Sequence, residues 1–387
     1  MVEALPVMAD SIVKAFRFRI YPTKAQETRL EHVLDLCREL YNAALEERRD
    51  AYRCAGESIT YRGQANQLAA IKELRPDLAD VHSQVLQDVL RRVDRAFKNF
   101  FRRIKAGASE PGYPRFKSRD RYDSFTFPQS GFAFTNGKLK LSKIGEIKIR
   151  LHRPIEGEIK TLTVKRDGDK WYVSFSVECV PRRLHPSTET IGVDVGLETF
   201  ARLSDNTPIE NPRFFRTEES ELARAQRKLD AAPKGTPERR KRKRIVKRVH
   251  ARIANRRKNF AHQEARKLVN RFGKICVEDL KVKRMVKNHC LAKSLSDAAW
   301  SLFFGLLCVK AAEAGREVIK VNPAYTSQDC AMCGHRVKKE LSDRWHDCEV
   351  CGFSTHRDHN AALNILRLGL QSGRHQSEEA PPFKGGE

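Results

Sequence analysis

Two cysteine pairs constrain this chain more than any other feature. Cys330-x-x-Cys333 and Cys348-x-x-Cys351 are separated by fourteen residues, and a glycine (Gly334, Gly352) follows each pair. A tight turn at each pair points its two sulfurs the same way, and two such knuckles supply the four thiolates of a tetrahedral zinc ribbon. Two disulfides or four free thiols is the alternative, but nothing else in the chain points to an oxidising compartment. Four cysteines leave zinc no open position, so the ribbon is structural. What it delivers is an acid: His356-Arg357-Asp358-His359-Asn360-Ala361-Ala362 opens a helix expected to run to about Leu370, with Asp358 in its first turn.

The chain has 387 residues, enough for two or three domains. Lys and Arg number 74 against 49 Asp and Glu, a formal charge of +25, which suits a polyanionic partner, nucleic acid above all. The remaining cysteines, Cys37, Cys54, Cys179, Cys276, Cys290 and Cys308, read as thiols of a cytosolic protein, several of them buried. The N-terminus lacks the basic and apolar regions of a signal peptide. The longest apolar run, Trp300 to Val309, is about half a membrane span.

Residues 1–11 read as disordered. Ile12 to Tyr21 alternates as a strand with a basic face, ended by Pro22. Thr23 and Gln26 form a capping-box pair for a helix to about Arg53. Further helices are expected over Tyr61–Leu74 and His82–Ala106, the last with an apolar stripe ending in Phe97, Phe100 and Phe101, taken as core. From Arg115 to about Pro181 short strands alternate with turns such as Asn136-Gly137, an all-β barrel-like unit. The first strand joins it, which makes the helical residues an insertion.

Ile191-Gly192-Val193-Asp194-Val195-Gly196 is an apolar strand with a carboxylate in it, costly to bury unless a cation satisfies it. A structural ion pair is the alternative to a metal. The flanking glycines are read as room for a ligand. Residues 217–264 read as a helical hairpin broken near Pro233–Pro237. Within it Arg239, Arg240, Lys241, Arg242, Lys243, Arg244, Lys247, Arg248, Arg252, Arg256, Arg257 and Lys258 form a run without acids, a track for phosphates. Gly273 to Leu280 is another buried strand, ending in Glu278 and Asp279. Neighbours on a strand face opposite ways, so one of the two can join Asp194, and the period does not say which. Carboxylates from distant segments suit two Mg²⁺ about 4 Å apart, as hard ions that take oxygen ligands. The tail, Gln371 to Glu387, reads as disordered.

These motifs resemble the TnpB family, transposon-encoded relatives of type V CRISPR effectors. The likeness spans Phe16 to Thr23, Ser83 to Gln87, Pro114 to Lys117, Gly192 to Gly196, Glu278-Asp279-Leu280, Tyr325-Thr326-Ser327-Gln328-x-Cys330 and Arg357-Asp358-x-Asn360-Ala361-Ala362. It implies a multidomain α+β chain: a β-barrel wedge (1–23 and 109–185), an inserted helical recognition domain (24–108), and an α/β RNase H-like (RuvC) nuclease domain (186–324 and 358–370). A zinc ribbon (325–357) is inserted in the nuclease domain. The family's three acids map onto Asp194, Glu278 and Asp358. The family often has an acid where this chain has His356-Arg357, but no catalytic position is lost. The implied activity is Mg-dependent, RNA-guided DNA cleavage beside a short adjacent motif. Its partners would be a guide RNA from the transposon end and target double-stranded DNA. Tyr52, Gln84, Gln87 and Ser124 fall in segments like the family's motif-reading surface. A monomer in the RNA complex and a cytoplasmic, nucleoid-associated location in a prokaryote are further expectations. A cleavage-independent RNA-guided regulator and a DNA transposase are the alternatives. The chain keeps all three acids, and it has no His-hydrophobic-His pair and no P-loop.

Overall fold

A computed structural model describes residues 11–135, 137–280, 285, 294, 296–340 and 343–378, and the chain divides into two compact units at Val180/Pro181. Cys290, Asn136, and the expected disorder of residues 1–10 and 379–387, lie outside the described residues.

The first unit opens with strand β1 (Ile12–Tyr21) and helix α1 (Lys24–Ala55). Thr23 and Gln26 close the capping box: the Thr23 hydroxyl accepts from the Gln26 amide, and the Gln26 side chain accepts from the Thr23 amide. The expected second helix is two short ones, α2 (Tyr61–Asn66) and α3 (Leu68–Leu74), separated at Gln67, before α4 (Ser83–Lys105). Strands β2 (Ser124–Phe127), β3 (Phe132–Thr135), β4 (Lys138–Leu141), β5 (Gly145–Arg150), β6 (Glu158–Asp167) and β7 (Lys170–Cys179) follow. They join β1 in one antiparallel sheet of order β2-β6-β7-β1-β5-β4-β3. β1 is central, between β7 and β5, despite its distance in sequence.

Alternation sets the sheet's inner face. Trp171, Val173, Phe175 and Val177 of β7 are buried, as are Phe18 and Ile20 of β1. The edge strands β2 and β3 approach through the Phe127 and Phe132 rings, 6.3 Å apart, so the sheet nearly closes as a barrel. Leu34 and Leu45 of α1 and Val89 and Val93 of α4 share one core with Phe125 and Val164. Arg92 pins α4 to β2: it donates to Asp88, the Ser124 carbonyl and the Thr126 hydroxyl. Of the three aromatics taken as core, Phe97 is half-buried and packs against it, Phe100 is half-buried, and Phe101 lies outside it. The fully buried residues of α4 end at Val93, and Phe101 is 60% exposed, because α4 outruns the elements it packs on.

In the second unit, β8 (Thr190–Val195), β9 (Thr199–Leu203) and β10 (Pro208–Glu210) run antiparallel. Helices α5 (Phe214–Asp230) and α6 (Pro237–Arg271) form a hairpin. Then come β11 (Lys274–Glu278), α7 (Trp300–Ala314) and β12 (Glu317–Val321). β11 is parallel to both β8 and β12, which gives a five-stranded mixed sheet of order β10-β9-β8-β11-β12. The small hairpin β13 (Trp345–Asp347) and β14 (Ser354–His356) precedes α8 (Arg357–Glu378). α8 passes the end expected near Leu370, so 371–378 are helical and not an unstructured tail.

The two sheet faces have separate cores. Ile191, Val193, Ile275 and Val277 pack with Leu268 of α6 and Phe303 of α7. Cys276 and Val321 pack with Ile365 of α8 on the other side. This helix–sheet–helix sandwich is the mixed α/β layout that the RuvC-like resemblance implies. Among the described residues, no helix is long and apolar enough to cross a membrane.

Candidate nuclease site and zinc ribbon

Alternation decides which acids meet. Cys276 pairs with Gly192 and Val277 with Val193. Two residues on from Cys276 and Gly192, Glu278 and Asp194 therefore share the α8 face of adjacent parallel strands. Asp279 turns away: its side chain is 59% exposed and 4.0 Å from the Lys320 ammonium. Asp358 stands in the first turn of α8, with its carboxylate 17% exposed. Its backbone N–H donates to His356 Nδ1 at 3.2 Å. A Cβ on Gly196 would stand 3.7 Å from Asp358 Oδ2 and 3.0 Å from the Thr199 carbonyl, so that glycine keeps space beside the acid. Gly192 does something else. A Cβ there would overlap the Ala362 carbonyl, so its missing side chain admits the α8 backbone and not a ligand.

The acids sense one another. The Asp194 carboxyl is pushed well above the usual carboxylate range, first by burial, then by the charges of Glu278 and Asp358, with Arg357 opposing. Burial also raises Glu278, against a 2.5 Å hydrogen bond from the Thr326 hydroxyl. This is an excess of negative charge that a cation relieves, offered by hard oxygen donors, and it fits divalent metal. The three carboxylates are not a close-packed set. Among the described residues, the group of metal-capable side chains whose ligand atoms all lie within 4.8 Å of one another is the four cysteines.

Those cysteines fit zinc. The Cys330–Cys351 and Cys333–Cys348 sulfurs are 3.6 and 3.5 Å apart. Zn–S bonds of ~2.3 Å at tetrahedral angles require sulfurs about 3.8 Å apart. Gly334 and Gly352 take positive φ, 78° and 73°, and donate back to the Cys330 and Cys348 carbonyls, which closes each knuckle. Backbone N–H groups of Cys351 and Val350 hold the Cys348 thiol down at about 6, ready to ligate as thiolate.

The ribbon is tied to the acids by side chains that sequence reasoning gave no role. Asn360, fully buried, accepts from the Ala331 amide and donates to the Asp329 carbonyl. Asn364 donates to the Thr326 and Asp329 carbonyls. Arg357 donates to the Glu340 carbonyl at 2.9 Å. Thr326 and Asn360 sit inside the quoted motifs, so the signal was present; which partners they take was not.

The basic hairpin is less uniform than its sequence. Arg252 pairs with Glu218 and Glu221, Arg256 with Glu218, and Arg242 with Glu238. Arg257 pairs with Asp297, whose side chain is 8% exposed, and Arg239 donates to the Leu229 and Ala232 carbonyls. Arg240, Lys241, Lys243, Arg244, Lys247, Arg248 and Lys258 are exposed. In the first unit Tyr52 is 67% exposed, Gln84 accepts from Ser130, Gln87 is half-buried, and the Ser124 carbonyl is taken by Arg92.

Fold and site together define an α/β unit that gathers carboxylates on one sheet face, with a zinc ribbon clamped beside them. Three family models match the chain: "Probable transposase" (OrfB_IS605) over residues 173–289, "Cas12f1-like, TNB domain" over 300–365, and "Helix-turn-helix domain" over 8–57. The last of these covers β1 and the single long helix α1. A Streptomyces pristinaespiralis protein described as "Putative RNA-guided DNA endonuclease" is 37% identical, over 94% of this chain and 91% of its own. InsQ of Escherichia coli (strain K12), described in the same words, is 34% identical over 95% of this chain and 97% of its own. A solved Cas12f1–sgRNA–target DNA complex covers 92% of this chain and 99% of its own, at 18% identity and a TM-score of 0.36. The chain belongs to the TnpB family of RNA-guided endonucleases.

Proposed function

We propose that this protein is an RNA-guided DNA endonuclease of a transposable element. It would bind a guide RNA from the transposon end and cut target double-stranded DNA beside a short adjacent motif. The observation that carries the proposal is the placing of Asp194 and Glu278 on one sheet face beneath the helix whose first turn holds Asp358. The relatives named as RNA-guided DNA endonucleases support the reaction class.

Asp194, Glu278 and Asp358 would hold two Mg²⁺. When bound, these ions supply an activated water and stabilise the leaving 3′ oxygen. The chain's residues do the positioning. Thr326 fixes the Glu278 rotamer, and Arg357 offsets part of the negative charge on Asp194.

The barrel strands with 109–185 act as the wedge, 24–108 as the recognition insertion, 186–324 with 358–370 as the nuclease, and 325–357 as the ribbon. Tyr52, Gln84, Gln87 and Ser124 read the adjacent motif. The exposed cations of 239–258 hold phosphates, while guide pairing carries the sequence information. The working form is a monomer with its RNA, in the cytoplasm.

The test is purification from cells carrying the native flanking DNA, sequencing of the co-purified RNA, and plasmid cleavage. Cutting is expected only with a guide match, the adjacent motif and Mg²⁺ together. Cutting at the same site without RNA overturns the guided reading.

A further inference from the structure

At the C-terminal end of α4 the rings leave the core, from half-buried Phe97 to exposed Phe101. Phe97 and Phe101 stack at 6.4 Å with 27° between their planes. Beside them lies a cavity of about 400 Å³ between α4 and the segment 58–62. Tyr61, Phe97 and Phe101 line its apolar side, and Thr60, Asp94 and Arg48 its polar side.

Arg48 is the unusual member. It is 8% exposed, its Nε donates to Gln64 and its Nη1 to Asp94, yet its buried Nη2 has no partner. Its guanidinium carbon stands 5.6 Å from the centroid of the Phe97 ring, so Arg48 packs behind that ring and holds Asp94 at the polar side of the cavity. Asp94 is held anionic beside it by Lys98, at 2.9 Å, and by Arg48. Lys98 is 77% exposed and stands with Arg62 among the residues around the cavity.

We propose that this cavity takes one unpaired nucleobase of a single-stranded nucleic acid. The rings stack on the base face. Asp94 and the Thr60 hydroxyl meet the base edge. Lys98 and Arg62 meet the flanking phosphates. Lys98 and Arg62 in the cavity lining and the +25 charge of the chain favour a polyanion. Tyr52, Gln84, Gln87 and Ser124 do not line this cavity, so it is separate from the proposed motif-reading set. It does not depend on the cleavage reading.

The experiment compares binding of the full-length protein to a short adenine homopolymer, as RNA and as DNA, with binding to abasic strands of equal length, without added Mg²⁺. Wild type is expected to prefer the adenine strand. Phe101→Ala, at an exposed position, is expected to shrink that preference by about five- to a hundredfold while the salt dependence holds. Phe101→Leu repeats the loss with apolar bulk retained. The RNA and DNA arms tell which strand is taken. An equal preference in wild type and both variants overturns the proposal. So does an equal weakening of adenine and abasic strands, which marks a defect of folding or charge.

Discussion

Gly192 of β8 lies against the carbonyl of Ala362 on α8, so closely that a Cβ at 192 would also come within 2.9 Å of the Leu366 amide nitrogen. The strand that carries Asp194 and the helix that carries Asp358 therefore meet backbone to backbone. Gly192→Ala is expected to destabilise the protein by about 1–3 kcal/mol through overpacking and to reduce cleavage with it. Gly305→Ala in α7 is the control: nothing lies within 4 Å of its Cβ, and a gain of roughly 0.5–1 kcal/mol is expected from the helix interior. Urea midpoints of both variants check this, and a neutral Gly192→Ala would contradict the close approach.

Asp194→Ala, Glu278→Ala and Asp358→Ala are each expected to abolish plasmid cutting while RNA and DNA binding persist. Asp194→Asn carries a further expectation. A carboxyl whose folded pKa is raised costs stability as pH climbs from its unfolded value, about 3.9, toward the folded one, because the folded state must release the proton it holds more tightly. Without added divalent ion at neutral pH, Asp194→Asn should therefore be more stable than wild type. Thermal melts at pH 4 and pH 7 should show the difference growing with pH. A variant no more stable than wild type at pH 7 would argue against a strained acid.

The ribbon's grip on α8 can be separated from its metal. Cys348→Ser should release zinc and cutting together. Asn360→Ala should keep zinc, lose about 1–3 kcal/mol from the stranded Ala331 amide and Asp329 carbonyl, and cut slowly. Zinc content beside cleavage rate reads the two apart. Full activity in Asn360→Ala would show that the clamp does not position Asp358.

The hairpin predicts two kinds of mutant. Replacing Arg240, Lys241, Arg244 and Lys247 by Gln should flatten the salt dependence of nucleic-acid binding by roughly 0.7–0.9 in slope per charge. Arg257→Gln should instead destabilise the fold, because it strips the 2.6 Å partner from buried Asp297. An Arg257→Gln protein of normal stability with a reduced slope would put that side chain on the nucleic acid.

Local signals in the sequence were reliable where one residue sets the geometry. The Thr23–Gln26 capping box and the two cysteine knuckles lie where their chemistry requires them. Period-two alternation placed the buried strands but could not choose between Glu278 and Asp279. That choice needs the parallel register of β11 on β8, a fact about two segments far apart in the chain. Gly192 reads alone as space for a ligand; only the path of α8 shows what fills it. The stripe of α4 likewise keeps its period through Phe101, although the elements it packs against stop supporting full burial after Val93. Helical period reports which face is apolar, and not how far a partner extends along it.

The central place of β1 ties the birth of the chain to its shape. Its neighbours in the sheet are 145–150 and 170–179. A ribosome thus releases the first strand long before either neighbour exists. Helices α1 to α4 emerge in between and can condense on local contacts, while the first strand waits with both edges bare, open to the wrong partner. A nascent chain halted before residue 145 should carry that strand unprotected in amide exchange, and translation of β5 and then of β7 is what takes it out of reach.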